Sequence, residues 1–295
     1  VSLKKSPTTI PTIIDLINEI EDIGYTVNII PDQRIEIYLK LSPTHFALEI
    51  LAKHALLHLA GLNNFDNSLD NETPVSVIDD EDLHADIATI ENKPTAHSQG
   101  WIGEMIADFV YHFFIQRDGS SLQYKWYAIE PPKGDVTAPG LDIITAYELD
   151  SRDLGHTVGE IKTYGTLSNA KFDAYQKLIE AQDGEPKRNL EIRQALNALF
   201  KKKGDVNSVM AGKTALKNER SYLPCLLHDS STEYKKKSTF DDMTNKFTLC
   251  TRAGQRLGIQ ISIDNFEEFF TKFFQQMHLL ADEMHTQAAK SKQVI

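Results

Sequence analysis

Gly140-Leu-Asp-Ile-Ile-Thr145 and Val158-Gly-Glu-Ile-Lys-Thr-Tyr164 are the stretches on which the reading of this 295-residue chain turns. Leu141, Ile143 and Ile144 surround one acid, and Val158 and Ile161 flank another. Short apolar runs rich in β-branched residues are strand signatures. Side chains at i and i+2 of a strand leave the same face. Glu160 and Lys162 therefore point to one side and Ile161 to the other, and if the two strands are neighbours Asp142 joins the first pair. An alternating Glu-Ile-Lys strand is equally what a half-buried sheet with a solvated face produces, so the surrounding sequence must decide.

Working outward, Gly100-Trp-Ile-Gly-Glu-Met-Ile-Ala-Asp-Phe-Val-Tyr-His-Phe-Phe114 has apolar residues at Ile102, Ile106, Phe109, Val110 and Phe113, the spacing of an amphipathic helix. Glu104 is its candidate inward-facing acid. Leu122 to Ile129 reads as an aromatic strand and Pro131-Pro-Lys-Gly as a turn. Beyond Tyr164 a helix is predicted from an N-cap at Ser168 to the Asp183-Gly-Glu-Pro stop, carrying Lys171, Gln176 and Lys177. Another helix covers Leu190 to Phe200. Tyr222-Leu-Pro-Cys-Leu-Leu is a candidate fourth core strand, which would make residues 184–220 an insertion; Pro224 argues against it, because proline favours sheet edges.

Two carboxylates and a lysine placed in this way suit phosphodiester hydrolysis. Mg²⁺ is held by one or two carboxylates plus substrate oxygens. It polarises the phosphoryl oxygen and makes water nucleophilic at neutral pH. Asp142 and Glu160 would supply the ligands, and Lys162 would orient the water or stabilise charge on the phosphate.

The order helix with a glutamate, strand, strand with Gly-x-Asp, strand with Glu-x-Lys, helix resembles the core of the PD-(D/E)XK nuclease superfamily over Trp101 to Gln182. The resemblance implies a restriction-endonuclease-like α/β (α+β) fold, a mixed sheet flanked by helices. It assigns Glu104, Asp142 and Glu160 to the metal and Lys162 to catalysis, with Mg²⁺ as cofactor and Mn²⁺ able to substitute. The chain departs from the literal Pro-Asp, having Gly140 and Leu141 before Asp142. A Gln or Lys on the following helix often touches a phosphate in that superfamily. A narrower resemblance is to the HamA family, nuclease subunits of the Hachiman antiphage defence system. It implies DNA as substrate and a helicase-like partner (HamB) that restrains cutting. The alternative is a catalytically silent subunit that binds nucleic acid or a partner.

Composition bounds these readings. A hydrophobic content of 41% supports one large core or two modest ones. The net charge of −11 argues against a protein that coats DNA. Residues 1–150 hold 9 Lys and Arg against 24 Asp and Glu, and residues 151–295 hold 22 against 18. The acidic front would shield the site, dock a basic surface or serve only solubility, while Lys201-Lys-Lys, Lys213, Lys217, Arg220 and Lys235-Lys-Lys would follow a phosphate backbone or form an ordinary solvated surface.

Helices are predicted at Ile10–Ile20 and Phe46–Leu59, with strands at Tyr25–Ile30 and Arg34–Leu39. This implies a small acidic α+β domain over residues 1–95, with residues 62–100 as a long loop or linker. The nuclease domain would cover 96–295, with a helical C-terminal part ending in the apolar stripe from Phe269 to Met284. His54-Ala-Leu-Leu-His58 has zinc-helix spacing, but Ala55 stands where a metalloprotease needs its glutamate, so both histidines read as packing or surface residues. Cys225 and Cys250 lack Cys-x-x-Cys spacing and read as structural thiols of a cytoplasmic protein. No stretch is long enough to span a bilayer, and no phosphate-binding loop or Gly-x-Ser-x-Gly elbow occurs.

Overall fold

The computed structural model describes residues 25–44, 47–60, 80–118, 125–129, 141–148, 154–202, 208–233 and 238–292. The helix expected at Ile10–Ile20, the Pro131 turn and Lys235-Lys-Lys lie outside them.

The strands are β1 (Tyr25–Ile30), β2 (Arg34–Leu41), β3 (Lys125–Ile129), β4 (Ile143–Glu148), β5 (Leu154–Tyr164), β6 (Arg220–Asp229) and β7 (Leu257–Ile263). They form one mixed sheet of seven strands in the order β1-β2-β7-β6-β5-β4-β3. β3, β4 and β5 make an antiparallel meander; β5, β6, β7 and β2 run parallel; β1 closes the far edge antiparallel to β2.

The helices are α1 (Ala47–Leu59), α2 (Asp80–Glu91), α3 (Thr95–Asp118), α4 (Leu167–Gln182), α5 (Pro186–Lys202), α6 (Ser208–Lys217), α7 (Met243–Lys246) and α8 (Phe266–Lys292). Strand alternation sorts their partners into two layers. Ile161, Cys225, Leu227, Ile259 and Ile261 face a cluster built with α1, α2, α3 and α8. Val158, Tyr222, Leu226 and Ile144 face the other, built with α4 to α7. The molecule is thus a mixed α/β sandwich with helices on both faces.

Several expectations change. Residues 80–91 form a helix rather than a linker, because Leu83, Ile87 and Ile90 recur at helical spacing and are buried against the core, outweighing the acidic run before them. Likewise α3 starts at Thr95, within the stretch expected to be loop. The N-cap of α4 is Thr166, not Ser168, and it makes no side-chain cap bond. The Asp183-Gly-Glu-Pro stop ends α4 through Gly184 at φ 75°, and Pro186 opens α5, where a missing N–H costs nothing.

β6 lies inside the sheet despite Pro224. Its ladder with β7 is continuous only from Cys225 onward, with an isolated bridge at Tyr222–Arg256, so the proline occupies a gap in the pairing. The segment 184–220 packs as α5 and α6, and the C-terminal part contributes β6 and β7 as well as α8. β2 pairs with β7 from Ile35–Leu257 to Leu41–Ile263. The sequence boundary near residue 95 therefore separates segments that share one sheet and one core. No helix among the described residues is long and apolar enough to cross a membrane.

Candidate active site at the β4–β5 junction

β4 begins one residue too late to satisfy the whole of β5, and this defect positions Asp142. Asp142 N–H donates to Gly159 O at 3.1 Å, and the Asp142 side chain then stands in for the next carbonyl, its Oδ2 accepting from Ile161 N–H at 2.8 Å. Gly159 lets the strands close: a Cβ there would lie 2.8 Å from Ile143 Cβ and 3.2 Å from Leu223 O. Glu191 of α5 accepts from Leu141 N–H and pins the entry to β4. Nothing in the local sequence signals that last contact, since its partners are fifty positions apart.

Glu160 and Lys162 share the face of β5 that α4 covers. Glu160 is fully buried. Its Oε1 meets Lys162 Nζ at 2.5 Å and Lys177 Nζ of α4 at 2.5 Å, and Lys162 Nζ is 3.9 Å from Asp142 Oδ2. Lys162 also donates to Ile161 O at 3.0 Å. Glu160 Oε2 has no hydrogen-bond partner. Burial, with the Asp142 carboxylate beside it, pushes the Glu160 carboxyl up to about 7 against the pull of the two lysines. Burial works against the charged form of Lys162, but Glu160 and Asp142 outweigh it and hold the ammonium protonated.

The structure thus gathers Asp142, Glu160, Lys162 and Lys177. Lys171 instead pairs with Asp242 at 2.7 Å, and Gln176 is exposed. Glu104 sits half-buried on α3. The neighbouring Gly103 presses on Thr163, so closely that a Cβ would fall 1.9 Å from Thr163 Oγ1. Thr163 alternates with Glu160 and Lys162, so α3 covers the opposite face of β5. Among the described residues, no group of three or more His, Cys, Asp or Glu side chains is placed to hold a metal ion.

The donor set nevertheless suits a hard cation that needs only one or two carboxylates. Two carboxylates flank the strand junction, and the orphaned Glu160 Oε2 is a buried carboxyl oxygen without a hydrogen-bond partner. The ammonium groups on Oε1 are the positive charge that offsets this site within the chain itself.

Other candidates resolve into structural roles. His54 is buried, with Nε2 3.0 Å from Asp108 Oδ2 and its ring edge-on to Phe109. Burial lowers it to about 3 and also lowers His58. Both cysteines are buried and free, and burial raises both thiols, with Asp142 adding to the shift of Cys225. Arg220, expected in a surface basic cluster, turns inward onto His156 and Ala181 O.

Comparisons with protein-family models, with curated proteins and with solved structures find no match to this chain.

Proposed function

We propose that the chain is a Mg²⁺-dependent nuclease acting on DNA, a restriction-endonuclease-like member of the PD-(D/E)XK superfamily. The observation that carries this reading is the gathering of Asp142, Glu160 and Lys162 at the β4–β5 junction. A helix, three strands and a helix surround them in the chain, the element order on which the resemblance rests.

Asp142 and Glu160 would hold the cation, which when bound polarises the phosphoryl oxygen and supplies a nucleophilic water at neutral pH. Ile161 N–H fixes the Asp142 carboxylate. Lys162, held protonated, presents its charge beside both acids, where it orients the attacking water or stabilises charge on the phosphate. Lys177 gives a second cation from α4, suited to a backbone phosphate once Glu160 engages a metal. Glu104, half-buried on α3, would complete the inner or outer shell of the cation. The acidic front half and the likeness to HamA support a helicase-like partner in antiphage defence.

Purified chain should cut supercoiled plasmid or single-stranded DNA in Mg²⁺, and Glu160→Ala and Lys162→Ala should each lower cleavage by at least about a hundredfold while remaining folded. Full activity in both variants would remove the site.

A second reading, a silent nuclease-fold subunit that binds a partner or nucleic acid, is favoured by the self-neutralised Glu160, whose Oε1 carries two ammonium groups. Calorimetric titration with Mn²⁺ separates the two. A nuclease gives binding heat that Asp142→Ala abolishes, and a silent scaffold gives none.

A further inference from the structure

At the C-terminal end of α4 a cavity of about 530 Å³ opens between α4, the first turns of α5 and the start of β6. Tyr222 lines it and is fully buried. Its hydroxyl lies against the Arg220 guanidinium and has no exposed surface of its own. The ring itself is fixed by stacking on Phe247, with centroids 4.8 Å apart and planes 10° from parallel.

Arg220 forms the same wall. Of the five N–H groups of a guanidinium, it uses Nε–H on His156 Nε2 at 2.9 Å and one Nη1–H on Ala181 O at 2.5 Å. Neither acceptor is an anion: burial, reinforced by Arg220, lowers His156 to about 3 and keeps its imidazole neutral. Arg193, exposed on α5, brings a second guanidinium to the rim. The acid in the wall, Glu219, is engaged by the Tyr147 hydroxyl and by Arg252. Asp183, at the C-cap of α4, is exposed and forms no ion pair with Arg193 or Arg220 among the described residues. Arg220 and Arg193 thus line the cavity with no carboxylate ion-paired to them among the described residues.

We propose that this cavity binds a small organic anion of mononucleotide size, with a phosphate monoester or comparable oxyanion on Arg220 and Arg193. The volume lies within the range of small-molecule sites, and guanidinium is the side chain best matched to planar, two-point recognition of oxyanions. The site is separate from Asp142 and Glu160, and its occupancy does not depend on whether the chain cuts nucleic acid.

The test is calorimetric titration of the full chain with adenosine 5′-monophosphate, glucose 6-phosphate, citrate and inorganic phosphate, repeated on Arg193→Ala and Arg193→Glu. At least one organic anion should bind at a single site with Kd below about 1 mM. Arg193→Ala should weaken it by about tenfold without changing the thermal midpoint of the free protein. Arg193→Glu should weaken it further, by about thirtyfold or more, again without changing that midpoint, because Arg193 is exposed. Phosphate-bearing ligands that bind where citrate does not identify the phosphate as the recognised group, and the reverse identifies the carboxylates. Absence of binding by all four probes, binding of inorganic phosphate as tight as that of the organic anions, or binding untouched by both substitutions overturns the proposal.

Discussion

Glu160 combines complete burial, an unpartnered Oε2 and two ammonium groups on Oε1. Burial and Asp142 raise its carboxyl to about 7 from an ordinary value of 4.5. For an acid whose folded value is raised, the folded state favours the protonated form. The cost of ionisation is absent below about 4.5, grows as pH rises, and is complete above about 7. Glu160→Gln carries no such cost. Wild type should therefore gain stability relative to Glu160→Gln, by on the order of 2 kcal/mol, as pH falls from 7.5 to 4.5. Urea midpoints of the two proteins across that range give the measurement, and a constant gap would mean that Glu160 titrates like an exposed acid. At this scale much of the site was legible. Strand alternation alone puts Glu160 and Lys162 on one face, and Lys177 is one of three polar residues, with Lys171 and Gln176, that the sequence offers on the next helix. The union of Lys177 with Glu160, the hold of Glu191 on Leu141 N–H and the face taken by α3 depend on packing between elements, which no local pattern contains.

Elements were read best where their periodicity is strong. Both N-terminal strands, the β4–β5 pair and α8 follow directly from alternation or an apolar stripe. α2 escapes the sequence reading because Asp79-Asp-Glu-Asp dominates the composition at its start, while its amphipathic face is carried by Leu83, Ile87 and Ile90. β6 was doubted because a proline rule for sheet interiors does not foresee a gap in one ladder.

The junction of β5 with α6 and β6 contains a testable device. His156 is buried, with Nδ1 2.8 Å from Ala215 O and Nε2 accepting from Arg220 Nε–H. Both ring nitrogens are thus committed to the neutral form. Its folded value, about 3, lies below its unfolded 6.5, so the unfolded state takes up the proton first. The stability contributed by neutral His156 is complete above 6.5 and declines as pH falls from there towards 3, by at most about 1.4 kcal/mol per pH unit. His54 acts in the same direction. Chemical denaturation of wild type and His156→Gln between pH 7 and 4 should show a shallower decline in the variant, and parallel curves would remove His156 from the linkage.

At the scale of the whole molecule, the charge asymmetry and the sheet topology pull in opposite directions. Composition divides the chain, with an acidic front and a mildly basic rear. Backbone pairing does not: β2 is an interior strand only because β7, more than two hundred positions later, lies beside it in parallel. Pairing at that separation leaves no mark on either segment, since each reads as an ordinary apolar strand. The same cluster joins Ile35, Ile37 and Leu39 to Ile161, Leu227, Ile261, Phe269 and Phe273.

A fragment of residues 96–295 would lose β1, β2, α1 and α2 together. It would expose β7 as a long apolar edge, of the kind that natural sheets cover or charge, and would strip the inner face of α8. That fragment should aggregate, or unfold without a cooperative transition and with weak near-ultraviolet circular dichroism, whereas the full chain unfolds in one step. A sharp urea transition for 96–295, at a midpoint close to that of the full chain, would instead establish the rear segment as an independent domain. The front would then be an appended module whose acidic face is free to engage a partner.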